Sequence, residues 1–375
     1  MNVIFTCGGT GGHINPAIAV ANQLKERYPE TNILFVGGQG DLEEKLIPSA
    51  GYPLKTIATS GMARGASFTA IKHNLCTLGK IFKSVQKCKK IIKEFNADVI
   101  IGTGGHASFP TLMAGTLLKV PTCVHEANAM PGLTTRLIAN RADRVLTCFP
   151  ESARHYKKPE KVETVGMPVR REFIFTKKED ARKELKLDDR PLIVSAFGSQ
   201  GARAMNRVVG ELFKLEQDAG FPWQHIHATG SYGWDWMPGY VKEKGVDLTK
   251  TSGITMQEYI YNMPTVMAAA DIIISRAGAS SCNEIAASGT PCILIPSPNV
   301  TDNHQEKNAR ALSDNGAAVL VLESDCTAKV LMDAITGLLE DKRRYDAMIR
   351  SLQKISVPDS AERLCDIIEE LAAGK

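Results

Sequence analysis

The feature that most constrains this chain is a repeat of grammar rather than of identity. "ADVIIGTGGHASFPTLMAGTLLKVPTCVH", from Ala97, can be laid against "ADIIISRAGASSCNEIAASGTPCILIP", from Ala270. Each runs through Ala-Asp, an apolar strand, a glycine-containing turn, a helix, a proline and another strand. "VIFTCGGTGGH" near the amino terminus has its counterpart in "VSAFGSQGAR" around Gly198. Apolar runs such as "NVIFTC", "NILFVGG", "RVLTC", "LIVSAF", "HIHATG" and "AAVLVL" alternate with helical patterns, which reads as parallel sheets with helices on both faces. At 375 residues the chain exceeds the size at which a single core stops growing. The sequence therefore predicts an α/β fold of two Rossmann-like domains facing across a cleft, with ligands at the carboxyl ends of the strands. The expected limits are 1–166 and 167–350, joined by the Lys-rich "HYKKPEKVETVGMPVRREF". Residues 351–375 then form a C-terminal helix that either completes the second domain or returns to the first.

Composition narrows the partners. A formal charge of +4 is too mild to argue for nucleic acid, and no aromatic-basic interleaving of the RNA-binding kind occurs. Nine cysteines without a C-x-x-C pair fit reduced thiols better than a disulfide framework or a zinc site. "MNVIFTC" lacks the charged and apolar regions of a secretory signal, and no run of about eighteen apolar residues occurs, so a spanning segment is not expected.

Glycine loops between a strand and a helix leave backbone N–H groups at the positive end of a helix dipole, where anions bind. Residues 8–12 form one such loop, with His13 at its mouth. It is neither G-x-G-x-x-G nor a P-loop. "GTGGHA" from Gly102 does satisfy G-x-G-x-x-A, and Glu126 follows at about the spacing of a ribose ligand, so a nicotinamide or flavin oxidoreductase stays open on the residues. In "SRAGASSCNEIAASG", Gly278 is expected to permit the turn, and Ala279 and Ser280 to offer donors. Glu284 would follow on the helix to accept from a ribose diol or merely to face the dipole. There is no Asp-x-Asp to hold a metal, so fixed dipoles and cations must neutralise a diphosphate: the Gly278 helix end, the Ser199 loop and Arg170 in "GMPVR". His13, at a helix start, is placed to take a proton from a hydroxyl or to buttress the loop, and His106 and His125 sit on the same edge.

"GGTGGHINPAIAVA", "HEANAMPGLTTRLIANRADRV", "VGMPVR", "GSQGARAMN", "RAGASSCNEIAASGTPCILIP" and "DNHQEKNARAL" together resemble, in order, the motifs of the MurG-type transferases. These transfer N-acetylglucosamine from UDP-N-acetylglucosamine to undecaprenyl-pyrophosphoryl-N-acetylmuramyl-pentapeptide, turning lipid I into lipid II in peptidoglycan synthesis. The resemblance implies a GT-B glycosyltransferase fold and an inverting hexosyltransferase. It makes 1–166 the acceptor and membrane-facing domain and 167–350 the UDP-sugar domain. It implies no tightly bound cofactor, with a divalent cation at most stimulatory. His13 matches the family's candidate base. Thr10, Gly11, Gly12, Asn128, Arg170, Ser199, Tyr259, Ile260, Gly278, Ala279, Ser280, Glu284, His304, Gln305 and Asn308 match donor positions. Among these Tyr259 and Ile260 would flank uracil, and Asn128 and Gln305 would hold the sugar. Gly104, Gly105, His106, His125 and Glu126 fall on the acceptor side.

The chain departs from the family pattern at Phe197, Met167, Ala127, His304 and His106, the last in place of a tyrosine. A non-catalytic UDP-sugar-binding paralogue is the second alternative.

A lipid substrate implies the cytoplasmic face of the bacterial cell membrane as the place of work, peripherally bound, with other cell-wall synthesis proteins as further partners. "FTAIKHNLCTLGKIFKSVQKCKKIIKEF" carries Ile71, Leu75, Leu78, Phe82 and Val85 at helical spacing. Lys72, Lys80, Lys83, Lys87, Lys89, Lys90 and Lys93 surround them, as expected of a helix on an anionic membrane surface or of one that covers its sheet. Trp234 and Trp236 have no assigned role, and His225 and His227 read as strand residues rather than metal ligands.

Overall fold

Runs of β-branched residues closed by glycine or a polar turn form two parallel sheets. The structure, a computed structural model, describes residues 1–40, 42–59, 68–251 and 253–374, and of residues 68–76 and 78 the backbone only. The first sheet holds β1 (Asn2–Thr6), β2 (Asn32–Gly38), β3 (Leu54–Ile57), β4 (Val99–Gly102), β5 (Thr122–Glu126), β6 (Arg144–Thr147) and β7 (Val162–Thr164), in the order β3-β2-β1-β4-β5-β6-β7. The second holds β8 (Leu192–Ala196), β9 (Gln224–Ala228), β10 (Ile254–Gln257), β11 (Ile272–Ser275), β12 (Cys292–Leu294) and β13 (Val319–Leu320), in the order β10-β9-β8-β11-β12-β13. All pairings are parallel, as strand–helix–strand connections dictate. In each sheet the chain winds outward to one side and then returns to start again next to its first strand. This leaves a topological switch point between β1 and β4, and another between β8 and β11.

The chain divides into two units, Met1–Val169 with Val357–Lys375, and Arg170–Ser356, a few residues later than the sequence suggested at both boundaries. The helix Lys342–Ile355 belongs to the second unit, and the helix Ser360–Ala373 to the first. Leu364, Cys365, Ile367 and Ile368 of that last helix join Val3, Phe5, Ile14 and Leu24 in one core layer. At its outer end Arg27 pairs with Asp366 at 2.5 Å, and the Tyr28 hydroxyl donates to Glu369 at 2.8 Å.

The opposite face of the first sheet is covered by the helices Phe68–Phe95 and Ser108–Leu118. Here the proposed apolar stripe needs correction. Val85, Cys88, Ile91 and Ile92 turn into the core, whereas Phe82 is 65% exposed. Phe82 and Val85, three residues apart, are neighbours on the helix, and the solvent boundary falls between them. Ile71, Lys72, Leu75 and Leu78 lie outside the described side chains. Among the described residues no helix is long and apolar enough to cross a membrane.

Leu364 has no exposed surface. Leu364→Ala therefore removes a core contact between the last helix and the first sheet, and should cost the first unit about 2–5 kcal/mol in denaturant unfolding.

Candidate functional site

The loops that carry most of the candidate residues leave the carboxyl ends of the strands flanking the two switch points. In the first unit these are the loops after β1 and β4; in the second, those after β8 and β11.

In the first unit Thr10 is the extended N-cap of the helix Gly11–Arg27, and its side chain makes no capping bond. The amides of Gly11 and Gly12 lie in the first turn, where no preceding turn can accept from them. His13 follows on the same turn. Its Nδ1 lies 3.0 Å from the Thr103 carbonyl, and the Thr103 hydroxyl donates to the His13 carbonyl at 2.6 Å. A carbonyl can only accept, so Nδ1 carries the proton and the neutral imidazole keeps its lone pair on Nε2. Gly104 makes this possible: it has φ +110°, and a Cβ there would fall 2.5 Å from His13 Nδ1. Gly105 meets the other loop still more closely, since its Cβ would fall 2.1 Å from the Gly8 carbonyl oxygen. His106 lies over Gly9, with Cε1 3.3 Å from where a Gly9 Cβ would stand.

Two residues placed on the acceptor side have other tasks. His125 is 1% exposed, its Nε2 donates to the Gly166 carbonyl at 2.8 Å, and burial holds its pKa below the ordinary value. Glu126 is also buried: one carboxylate oxygen accepts from the Asn128 amide and side chain at 3.0 Å each, the other from the Gly132 amide at 3.0 Å. Its carboxylate thus braces the turn 126–132 instead of facing a ribose. Gly102 is needed for packing, with a Cβ there 2.5 Å from Leu112 Cδ1. The dinucleotide reading loses both of its supports.

In the second unit the turn after β11 leads into the helix Ala279–Ser288. Gly278 is its N-cap with φ −65° and ψ 148°, a conformation open to any residue, so the expectation that glycine permits this turn is corrected. A Cβ on Gly278 would meet only Ser281 Oγ, at 3.9 Å. What the missing side chain leaves is open space in front of the first-turn amides of Ala279, Ser280 and Ser281. Asn308, fully buried, donates to the Ala277 carbonyl at 3.1 Å and fixes the turn from behind. Gln305 accepts from the Ser297 amide at 2.9 Å, and His304 Nδ1 lies 2.8 Å from the Thr301 carbonyl. The helix they begin is preceded by Asp302 and Asn303 at φ 53° and 50°, a strained pair that the sequence did not announce.

Glu284 sits half-buried on the helix Ala279–Ser288 and accepts no hydrogen bond from any described residue. Burial pushes its carboxyl up to about 7, and nearby Arg170 pulls it back in part. Arg170 is exposed, its guanidinium stacked 5.1 Å from the Phe173 ring, whereas Arg276 is tied to the Ile295 carbonyl and Glu323. Ser199 is exposed on the loop after β8, whose carbonyls at Ser199 and Gln200 accept from Ser231 and Tyr232 at 3.1 Å each. Ile260 is buried and Tyr259 is exposed.

Models of glycosyltransferase family 28 match both units, its N-terminal domain at residues 3–147 and its C-terminal domain at 192–364. The chain belongs to glycosyltransferase family 28. Family 28 relatives match it end to end. A UDP-N-acetylglucosamine–N-acetylmuramyl-(pentapeptide) pyrophosphoryl-undecaprenol N-acetylglucosamine transferase of Acetivibrio thermocellus is 40% identical over 100% of this chain and 99% of its own. One of Bacillus cytotoxicus is 36% identical over 99% of each. The crystal structure of Acinetobacter baumannii MurG superposes with TM-score 0.78 at 26% identity, covering 98% of this chain and 99% of its own. The fold is GT-B.

The geometry missed by sequence reasoning lies in Thr103, whose carbonyl sets the His13 tautomer, and in Glu43, buried under the loop 8–12. Thr103 is an unspecified position of the GTGGHA loop and Glu43 lies in no motif; both roles are found only by knowing which strands are neighbours.

Two substitutions test the second unit. Gly278→Ala should leave melting unchanged yet weaken UDP binding about tenfold in calorimetry, because only the open space is filled. Glu284 is protonated in the folded chain between its ordinary value of 4.5 and about 7, where the unfolded chain is ionised, so stability falls as pH rises through that window. Glu284→Gln should accordingly melt higher than the parent near pH 8, by on the order of 1–3 kcal/mol, and equally near pH 4.

Proposed function

We propose that this chain transfers N-acetylglucosamine from UDP-N-acetylglucosamine to the C4 hydroxyl of lipid-linked N-acetylmuramyl-pentapeptide, with inversion, in peptidoglycan synthesis. The observation that carries the assignment is the end-to-end likeness, at 40% identity, to a transferase named for this reaction. The site residues supply the matching chemistry.

The work divides between the units. In the second, the first-turn amides after Gly278, the Ser199 loop and Arg170 take the diphosphate of the donor, and Glu284 accepts from the ribose diol. These fixed dipoles and the guanidinium also stabilise the charge that grows on UDP as the glycosidic bond breaks, so we read the reaction as needing no tightly held metal. In the first unit, His13 Nε2 takes the proton of the acceptor hydroxyl as that oxygen forms its bond to the anomeric carbon. The Thr103 carbonyl prepares it for this, since Nδ1–H is held and the imidazolium that forms keeps the same bond. Gly11 and Gly12 offer amides to a diphosphate.

A lipid acceptor brings the chain to an anionic membrane surface, on our reading the cytoplasmic face. Support comes from the outward side of the helix Phe68–Phe95, where exposed Phe82 is accompanied by exposed Lys80, Lys83, Lys87, Lys90 and Lys93. Each lysine near such a surface contributes about 1 kcal/mol at low salt.

Transfer of labelled N-acetylglucosamine to a short-chain lipid-linked muramyl acceptor tests the assignment. His13→Ala should lower kcat about 10²- to 10⁴-fold while UDP affinity stays at the parent value. A parent protein that binds UDP-N-acetylglucosamine but releases no UDP with this acceptor would instead be a sugar-nucleotide binder.

A further inference from the structure

Behind the loop 8–12 lies a carboxylate that no motif announces. Glu43, the first residue of the helix Glu43–Ser49, has no exposed surface. Its Oε1 accepts from the Gly9 amide at 3.1 Å and from the Gly38 amide, at the end of β2, at 3.3 Å. Its Oε2 is buried with no hydrogen-bond partner. The surrounding backbone is cleared for it. A Cβ on Gly8 would fall 2.6 Å from Glu43 Oε1, and one on Gly37 would fall 3.0 Å from Glu43 Cγ.

This arrangement is costly in isolation. A buried carboxylate with one oxygen unsatisfied forfeits hydration, and it places negative charge behind a loop whose outward amides suit an anion. Its two bonds are of the charge-assisted kind, and one of them holds Gly9 at φ +83° while the His106 ring covers Gly9 from another side. The Gly9 amide is thereby turned inward and withdrawn from any ligand, so not every amide of the loop 8–12 is open to an anion. The donors left to a ligand are those of Gly11 and Gly12, in the same first helical turn as His13.

We propose that Glu43 is a positioning residue for acceptor binding: by clamping the Gly9 and Gly38 amides it fixes the loop so that Gly11 and Gly12 meet the acceptor's diphosphate and His13 keeps its place. This rests on the transfer reaction proposed above. The resemblance puts Gly11 and Gly12 among the donor positions; because the proposed function gives the donor's diphosphate its own grip in the other unit, we assign the loop to the lipid pyrophosphate instead.

The test compares full-length parent, Glu43→Gln and Glu43→Ala by melting, UDP calorimetry and steady-state transfer. Glutamine can still accept both amides, but as a neutral group, so its acceptor KM should rise about 3- to 10-fold. Alanine removes both bonds, and its acceptor KM should rise at least tenfold with a fall in kcat; UDP affinity should match the parent in both. Glu43→Gln with parental acceptor KM and kcat overturns the proposal, as does a loss of UDP affinity that keeps step with the loss of acceptor. Should alanine prevent folding, the glutamine variant decides. Should the parent transfer nothing, inorganic pyrophosphate followed through the Gly11 and Gly12 amide NMR shifts decides: the proposal requires the glutamine variant to need about 3- to 10-fold more, and equal titrations refute it.

Discussion

Both units depend on a backbone-to-backbone contact between two loops at the edge of a parallel sheet. In the first, the Gly8 carbonyl occupies the place where a side chain on Gly105 would begin, 2.1 Å from its ideal Cβ. In the second, the Thr229 carbonyl stands 2.0 Å from the ideal Cβ of Gly201. Neighbouring parallel strands run about 4.8 Å apart, so loops leaving their ends collide unless at least one lacks a side chain. The glycines here are first a packing requirement. The His13 tautomer follows from it, since Thr103 reaches it only across the glycine at 104. The amides of Gly11 and Gly12 are left to a ligand for a separate reason, since the helix they begin has no earlier turn to accept from them.

This explains what could and could not be read from the sequence. The interior strands were legible because both faces are buried and their residues are almost uniformly apolar, as in "VIFT" and "IIIS". The strands without an obvious signature were β3 (Leu-Lys-Thr-Ile), β7 (Val-Glu-Thr) and β10 (Ile-Thr-Met-Gln), and each is an edge of its sheet. Edge strands are half-solvated, so charged and hydroxyl residues dilute the pattern. The helix Phe68–Phe95 shows the converse error: its apolar residues suggested one stripe, but the solvent boundary falls within it and leaves Phe82 outside.

The candidate site divides in the same way. His13, Arg170 and Glu284 were legible because each stands next to a glycine loop or a joint, where local chemistry already suggests a ligand. Gly278 was found for the wrong reason: its conformation is ordinary, and its use is the space it leaves. Thr103 acts through its backbone carbonyl, which no side-chain pattern can encode. Glu43 is distant from the loop in sequence and adjacent only because β2 lies beside β1. His125 and Glu126 were misleading for a related reason. A polar residue at a carboxyl edge is as readily engaged in holding the turn as in holding a ligand, and the count of satisfied oxygens separates the two. Glu126 has both oxygens occupied by amides of its own turn.

The same count contrasts Glu43 with Glu284. Glu43 is enclosed, and two amides converge on a single oxygen; its charge is stabilised by the protein's own donors and its effect is confined to the loop it holds. Glu284 is given no donor by its surroundings, and burial raises its pKa to about 7 against the pull of Arg170. A fold selected for stability alone would supply an amide or replace the carboxylate with an apolar residue. On the function proposed above, a ribose diol brings the two hydroxyl donors that the protein withholds from Glu284.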